Sequence, residues 1–264
     1  MRLKDKVAVV VGGGQQTGET LGNGRATCLR FAEEGARVLV VDRDLDSADM
    51  TVRMIGDGGG TASSFRADVT REEQCAAITA TCKEHYGRID ILHNNVGRSK
   101  GDRETTEMET EVWDELMAMN LKAMFMTCKH TLPVMRAQRS GVIINISSIS
   151  SVCARQTITY KTSKGAVNTL THHIAMENAA YGIRANVILP GLMDTPMAIV
   201  RRAQERDVDP QVIRAERDAQ VPLGQKMGTA WDVANAAVFL ASDEAKFITG
   251  VALPVDGGMT ARVG

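Results

Sequence analysis

The sequence predicts a single-domain α/β fold in which helices cover both faces of a parallel sheet. Short continuous apolar runs, such as Val7–Val11 and Val38–Val41, alternate with longer stretches of helical periodicity along the whole chain. A strand buried on both faces is apolar throughout, and strands that alternate with helices build the βαβ units of a doubly wound sheet. With 264 residues, 44% of them hydrophobic, the chain can form one large core.

The elements follow in order from these patterns. Val7–Val11 ends at a glycine-rich turn, a helix runs from about residue 23 to a C-terminal glycine at Gly35, and Val38–Val41 completes the first βαβ unit. Further strands are predicted at about 63–66, 89–93, 142–146, 183–189 and 251–258, and further helices at about 46–55, 71–86, 109–138, 160–181, 194–220 with a break at Pro210, and 231–241. Seven strands without a repeat or linker indicate one domain over residues 1–264.

The composition excludes several classes of partner. A formal net charge of −1 gives no basic field that would attract nucleic acid or an anionic membrane, so we expect a small-molecule partner. The five cysteines are scattered without metal-ligand spacing, which indicates reduced thiols, a cytoplasmic location and no metal site. The N-terminus lacks a signal-peptide pattern, and no apolar run is long enough to span a bilayer.

Asp42 indicates the cofactor. It ends the second predicted strand about twenty residues after the glycines, which is the arrangement of a Rossmann-type dinucleotide-binding unit. A carboxylate at this point accepts hydrogen bonds from the adenosine ribose and repels a 2′-phosphate, so the sequence favours NAD over NADP. Arg43 is the opposing observation, because a guanidinium binds phosphate well.

Tyr160 and Lys164 form the candidate catalytic pair. Residues four apart lie on one face of a helix, so the phenol and the ammonium project side by side. A neighbouring cation favours the phenolate and is expected to lower the pKa of Tyr160 from about 10. The pair is then a proton donor and acceptor near neutral pH.

Together with further motifs, this pair carries a resemblance that covers the chain from Lys6 to Gly258. The motifs are Gly22-Asn23-Gly24, Asp42, Asp68-Val69, Asn94-Asn95-Val96-Gly97, Asn120, Asn145-Ile146-Ser147-Ser148, Tyr160, Lys164, Pro190-Gly191 and Thr195. In this order the chain resembles the short-chain dehydrogenases/reductases. The resemblance implies an NAD-dependent oxidoreductase that interconverts a secondary alcohol and a ketone by hydride transfer. It also implies a homotetramer.

The resemblance assigns roles to individual residues. Tyr160 is the acid/base, Ser148 orients the substrate oxygen, Lys164 binds the nicotinamide ribose and lowers the pKa of Tyr160, and Asn120 interrupts a helix and anchors a relay water. The cofactor-binding residues implied are Gly12, Gly22, Asn23, Gly24, Asp42, Asp68, Val69, Asn94, Gly97, Tyr160, Lys164, Pro190, Gly191 and Thr195.

Two departures from the family leave alternatives open. Residues 17–24 match the glycine motif literally but start too late for the strand, so we assign Gly12 as the first glycine and residues 13–18 as an insertion. The enlarged loop at about 13–21 either caps the diphosphate or contacts a neighbouring subunit. Ser148 precedes Tyr160 by one residue fewer than is usual, which leaves Ser147 as the alternative catalytic serine.

Substrate and rival functions are less clearly encoded. In the family, the pocket is lined by residues 149–159, the residues after Gly97 and a lid at about 192–220. Arg155, Arg98 and Lys100 are either solvated or receive an anionic group of the substrate, because guanidinium forks bind carboxylates. The rival functions are an NADP-dependent ketoreductase of the oxoacyl type, which Asp42 disfavours, and a non-catalytic cofactor-sensing scaffold, which has no need of the acid/base set.

Overall fold

A seven-stranded parallel sheet forms the centre of the molecule. The computed structural model describes residues 1–15, 17–153 and 157–262. The strands are β1 (Val7–Val11), β2 (Arg37–Asp42), β3 (Thr61–Arg66), β4 (Ile91–Asn94), β5 (Gly141–Ile146), β6 (Ile183–Pro190) and β9 (Ala252–Val255), while the short β7 (Met193–Asp194) and β8 (Gly228–Thr229) pair separately. In space the order is β3-β2-β1-β4-β5-β6-β9, with every pair parallel. The predicted doubly wound sheet is confirmed.

Helices cover both faces of this sheet. They are α1 (Asn23–Glu33), α2 (Leu45–Asp57), α3 (Glu72–Tyr86), α4 (Thr110–Met117), α5 (Ala123–Gln138), α6 (Ile158–Asn178), α7 (Pro196–Arg206), α8 (Pro210–Asp218) and α9 (Ala230–Ala241). On one face Phe31 of α1 and Val238 of α9 belong to one core cluster, and on the other Ile78 of α3 and Met126 of α5 belong to a second. Two cores separated by a sheet require strands that are apolar on both sides.

Strand β1 meets this requirement. All five of its residues are buried, and they alternate between the two cores, with Val10 in one and Val9 in the other. Burying one valine side chain contributes about 1.5–3 kcal/mol, so this strand stabilises both layers at once.

The structure also differs from the sequence-based expectations in places. The helix expected over 109–138 is three elements, because a π-helical turn, Ala118–Lys122, separates α4 from α5. The strand expected at 89–93 runs from Ile91 to Asn94, and the Asp90 carboxylate just before it accepts a hydrogen bond from the Val7 amide. The break at Pro210 and the glycine with positive φ at Gly35 occur where the sequence places them.

Two findings concern the described ranges as a whole. No helix within them is both long and apolar enough to cross a membrane. The same ranges contain no cluster of three or more His, Cys, Asp or Glu side chains that could hold a metal ion. Cys28, Cys75, Cys82, Cys128 and Cys153 are free thiols.

Candidate active site

A cleft of about 630 Å³ opens at the carboxyl ends of the central strands. Residues at the ends of β1, β2, β5 and β6 line it, and α7 forms its far wall. The strand order reverses between β1 and β4, and ligands of open α/β sheets bind in the crevice at such a switch point. The cleft is therefore the candidate ligand-binding site.

Glycines form the turn between β1 and α1. Gly12 follows β1 directly with φ +81°, a backbone conformation that residues other than glycine rarely adopt. A Cβ on Gly24 would lie 1.8 Å from the Gly12 carbonyl oxygen, so α1 packs against the turn at a distance that only glycine allows. Gly22 precedes the helix in an extended conformation without a side-chain cap, which leaves the first amides of α1 available for an anion.

The enlarged loop after Gly12 folds against α2 and the lid. The Gln15 backbone amide donates to the Ser47 hydroxyl at 2.8 Å, and the Gln15 side-chain oxygen accepts from the Gly22 amide at 2.9 Å. A Cβ on Gly18 would lie 2.7 Å from the Cβ of Pro196, at the start of α7. The described part of the loop thus packs against the lid beside the cleft.

Asp42 is held at the tip of β2 by the same turn. Its carboxylate accepts from the Gly14 amide at 3.0 Å and from the Asp44 amide at 3.1 Å. Two carboxylate oxygens have about four acceptor positions, so two remain for ribose hydroxyls. Arg43 lines the cleft beside it and is exposed.

Asp68 and Val69 border the same end of the cleft. Hydrogen bonds from the Thr70 hydroxyl and amide hold the pKa of Asp68 below its ordinary value. Asp68 therefore stays ionised, and Val69 offers a buried apolar surface next to it.

Asn94 lies beneath the cleft and does not line it. Its amide donates to the Asn145 side chain at 2.8 Å, and its oxygen accepts from the Thr127 hydroxyl at 2.9 Å. Both polar ends of this side chain thus join β4, β5 and α5, and the cofactor contact expected for Asn94 stays a prediction. The next residue, Asn95, lines the cleft and donates to the Gly12 carbonyl at 3.2 Å, a contact that the sequence reasoning missed.

Ser148, Tyr160 and Lys164 meet at the other end of the cleft. The Lys164 ammonium nitrogen lies 5.7 Å from the centre of the Tyr160 ring and donates to the Ile146 carbonyl at 2.8 Å. Ser148 is near enough to the Tyr160 hydroxyl to favour its ionised form, although its own hydroxyl donates to the Ser150 hydroxyl at 3.2 Å. Ser147 instead donates to the backbone carbonyl of Lys164 at 2.9 Å, which directs its hydroxyl away from Tyr160 and favours Ser148 as the candidate.

Asn120 supports this end from below. It lies fully buried in the π-helical turn, and its oxygen accepts from the Arg98 amide at 2.8 Å. Its amide donates to the Arg98 carbonyl at 2.9 Å and to the Ser163 hydroxyl at 3.1 Å. A Cβ on Gly97 would lie 2.9 Å from the Lys164 nitrogen, so Asn120 fixes a backbone segment that must pass close to the lysine.

Asp102 is a supporting residue that the sequence does not reveal. Its carboxylate accepts from the backbone amides of Thr159 at 3.1 Å and Tyr160 at 2.6 Å, in the first turn of α6. A carboxylate at a helix N-terminus satisfies unpaired amides and interacts favourably with the helix dipole. Because Asp102 lies 57 residues before Thr159 in the chain, no local pattern could have found this contact.

Burial controls the ionisation of the catalytic pair. It raises the pKa of Tyr160, while the hydrogen bond from Ser148 and the charges of Arg202 and Arg201 oppose it. Burial also lowers the pKa of Lys164 to about 7. The pKa of Tyr160 in the protein alone is therefore raised, whereas the pairing with Lys164 was expected to lower it, because burial disfavours the phenolate more than its neighbours favour it.

The lid closes the cleft from the β6 side. Pro190, Gly191 and Thr195 line its entrance, and a Cβ on Gly191 would lie 2.6 Å from Asp256 Cα, so the strand end has room only for glycine. The Arg98 guanidinium pairs with Glu115 at 2.7 Å on the surface. Lys100 is exposed, and Arg155 lies outside the described residues.

These features fit a dinucleotide. The glycine turn packs so closely on α1 that a side chain at Gly24 would collide with it, and Asp42 stands at the tip of β2 beside it. The Asn23 side-chain oxygen is buried there without a hydrogen-bond partner among the described residues. The cleft runs from there to Tyr160. The residues that would hold the cofactor are therefore Gly12, Gly22, Asn23, Gly24, Asp42, Asp68, Val69, Gly97, Lys164 and Thr195.

The chain is similar to known dehydrogenases and reductases in sequence and in structure. The family model described as enoyl-(acyl carrier protein) reductase matches residues 19–260. The chain is 37% identical over 264 residues to the 2,5-dichloro-2,5-cyclohexadiene-1,4-diol dehydrogenase LinX of Sphingobium indicum, covering 99% of both chains. It is 37% identical over 250 residues to the 2-(R)-hydroxypropyl-CoM dehydrogenase of Xanthobacter autotrophicus, covering 93% of this chain and 97% of the relative. A solved structure from Burkholderia xenovorans, provisionally assigned to the short-chain dehydrogenases/reductases, superimposes with a TM-score of 0.94 at 40% identity over 100% of this chain and 99% of that one.

Proposed function

The chain belongs to the short-chain dehydrogenase/reductase family of oxidoreductases, which use nicotinamide cofactors, and we propose that it is NAD-dependent and interconverts a secondary alcohol and a ketone. One observation carries the proposal. The Ser148–Tyr160–Lys164 face and the glycine turn with Asp42 border one continuous cleft, so an acid/base group and a dinucleotide cradle serve the same space.

The residues then divide the reaction among them. A bound nicotinamide would supply the hydride chemistry, as acceptor from the alcohol carbon in oxidation and as donor to the ketone in reduction. Tyr160 takes the hydroxyl proton during oxidation and gives it back during reduction, while Ser148 holds the substrate oxygen by a hydrogen bond. Lys164 donates to the Ile146 carbonyl at 2.8 Å and has further ammonium protons for the cofactor ribose.

Asp42 supports the choice of NAD. A 2′-phosphate would bring negative charge next to a carboxylate that two backbone amides hold in place. The NADP-linked oxoacyl-type ketoreductase is the second candidate, and Arg43 is the observation that favours it, because its exposed guanidinium borders the same part of the cleft.

We test the function with a panel of secondary alcohols and NAD, following absorbance of the reduced cofactor. Wild-type protein is expected to oxidise at least one of them, and Tyr160→Phe to lose about 10²-fold to 10⁴-fold of the rate, the usual contribution of acid/base catalysis. NADH affinity, measured by nicotinamide fluorescence, serves as the control and should change little in Tyr160→Phe. Full activity of this variant would refute the mechanism.

We also propose a cytoplasmic homotetramer. Phe125 of α5 and Met176 of α6 are 48% and 63% exposed, and β9 leaves one edge of the sheet without a strand partner in the described chain. Large exposed apolar side chains and open edges are typical of subunit contacts. The five free thiols suit a reducing compartment. Light scattering after size exclusion measures the subunit number, and a monomer at micromolar concentration would exclude the tetramer.

A further inference from the structure

A buried arginine lies behind the glycine-turn end of the cleft. Arg25 follows the turn on α1 and is 8% exposed, and the described lining of the cleft does not include it. Its guanidinium reaches α2, where Nε donates to the Thr51 hydroxyl at 2.9 Å. Nη2 donates to the Ser47 carbonyl at 3.0 Å and to the Ser47 hydroxyl at 3.2 Å. Arg25 therefore contacts two hydroxyl groups that stand one turn apart on the same face of α2.

Both hydroxyls hold the loop that follows β1. Thr51 donates to the Gly13 carbonyl at 2.9 Å, while the Ser47 carbonyl, to which Arg25 already donates, lies farther from it at 3.3 Å. Ser47 donates to the Gln15 carbonyl at 2.8 Å and accepts from the Gln15 amide at 2.8 Å. A hydroxyl has one proton, so a donor at its oxygen helps to decide where that proton points. Because Arg25 donates to both oxygens, it directs both protons toward the loop, on either side of its middle residue.

That middle residue, Gly14, determines the position of Asp42. The Gly14 amide donates to the Asp42 carboxylate at 3.0 Å. A Cβ on Gly14 would lie 2.8 Å from the Ser47 hydroxyl oxygen and 2.9 Å from the carboxylate, so Gly14 is packed between the two side chains. Burial lowers the pKa of Arg25, and the charge of Asp42 is among the influences that act against this. The guanidinium and the carboxylate are thus linked both through the loop and through their charges.

We propose that Arg25 is a positioning residue for the cofactor, which holds the Asp42 carboxylate in the orientation that receives the adenosine ribose. It acts through Ser47, Thr51 and residues 13–15, because it does not itself line the described cleft. The inference rests on the proposed function and adds a determinant of NAD affinity to it. Without the guanidinium, the two hydroxyls can turn to other acceptors, and the cost of ordering the loop then falls on cofactor binding.

The first experiment measures cofactor binding without turnover. NADH is titrated into wild-type protein and into Arg25→Met, and nicotinamide fluorescence gives the Kd. We expect Arg25→Met to raise the Kd about tenfold, the factor that corresponds to the loss of about one hydrogen bond to a charged acceptor. An unchanged Kd would refute the inference while leaving the proposed function intact.

A double-mutant cycle tests whether Arg25 acts through Asp42. Loss of the carboxylate removes the group that Arg25 is proposed to orient, so in the Asp42→Ala background Arg25→Met should raise the NADH Kd by less than about threefold. If Arg25→Met only loosened the fold, it would weaken NADH binding by the same factor in both backgrounds. That result would overturn the inference.

Control variants separate this role from damage to α1. Arg30→Met changes the same helix, but the Arg30 guanidinium pairs with Glu33 at 2.9 Å and does not line the described cleft, so NADH affinity should be unchanged. If Arg25→Met does not fold in circular dichroism, Thr51→Val takes its place, because it keeps the guanidinium and removes the hydroxyl that holds Gly13. Thr51→Val should raise the Kd about threefold, less than the arginine variant because Ser47 still holds the loop. Wild-type affinity of Thr51→Val would refute the route through the hydroxyls.

The inference and the proposed function can fail separately. If Arg25→Met weakens NADH binding in the way expected but no secondary alcohol is oxidised with NAD or NADP, the proposed reaction fails and the positioning role stands. If alcohols are oxidised with NAD and Arg25→Met has the cofactor affinity of wild-type protein, the reaction stands and the positioning role fails.

Discussion

Replacing Lys164 by methionine should make the cofactor-free protein more stable, although it removes a residue of the proposed catalytic pair. Lys164 is 2% exposed, and burial lowers its pKa from the ordinary 10.5 to about 7. At about 1.4 kcal/mol per pKa unit, charging this lysine in the folded protein costs about 5 kcal/mol. Its hydrogen bond to Ile146 returns about 1 kcal/mol. Methionine fills a similar volume without a charge, so we expect Lys164→Met to gain about 2–4 kcal/mol near pH 6.

The dependence on pH gives the sharper test. The folded-state pKa is lower than the unfolded one, so between about pH 7 and 10.5 the unfolded state binds more protons and the stability of wild-type protein rises with pH. The cost of Lys164 is complete below about pH 7 and falls to about 2 kcal/mol near pH 9. The other titrating groups are shared by both proteins, and the difference between them isolates this lysine.

Urea unfolding of both proteins at pH 6, 7.5 and 9, followed by circular dichroism, measures the difference in the free energy of unfolding. The advantage of Lys164→Met should shrink by about 2–3 kcal/mol from pH 6 to pH 9. A difference independent of pH, or a variant that is less stable at every pH, would refute the reasoning, since it would mean that the buried ammonium is already compensated. Lys161→Met, one turn away but less buried, is the matched control for removing a lysine from the same helix.

Three further predictions concern the cofactor cradle and the helix that carries Tyr160. Gly24→Ala would force a Cβ within 1.8 Å of the Gly12 carbonyl and should abolish NADH binding in a fluorescence titration. Gly56→Ala in α2 is its control, because a Cβ there meets nothing within 4 Å; it should gain about 0.5–1 kcal/mol in urea unfolding. Asp42→Ala should reduce the preference for NAD over NADP at least tenfold, measured as the ratio of the two Kd values, and an unchanged ratio would contradict the role of this carboxylate. Asp102→Ala should cost about 1–2 kcal/mol in urea unfolding through the lost cap of α6, and retention of wild-type stability would mean that water replaces the carboxylate.

The sequence predicts the features that depend on local pattern. Strands β1 and β2 are recognisable because burial on both faces requires continuous apolar runs, and the break before α8 because proline cannot continue a helix. The sequence leaves Ser147 and Ser148 as alternatives, since both serines stand at the end of β5 and only the direction of each side chain separates them; the Ser147 hydroxyl turns to the Lys164 carbonyl.

Features that depend on long-range contacts could not be predicted from local sequence pattern. Asn94 and Asn95 are identical in type, and their roles differ because side chains of a strand and its extension point in opposite directions, one into the layer below and one into the cleft. The sequence predicts a lid at about 192–220 but not that Arg201 and Arg202 of α7 line the cleft. Which side of α7 faces the cleft depends on how Ile199 and Ala203 pack against α8. The pKa of Tyr160 is raised, whereas a neighbouring lysine was expected to lower it, because the helix that brings Lys164 near also buries both groups.

The ionisation of the candidate acid/base pair depends on what surrounds the two side chains in the cleft. Burial opposes the phenolate of Tyr160 and the ammonium of Lys164 alike, so neither charge can stabilise the other until more charge or hydrogen bonding arrives. Ser148 and the lid arginines act in this direction on Tyr160, and ribose hydroxyls would act in this direction on Lys164.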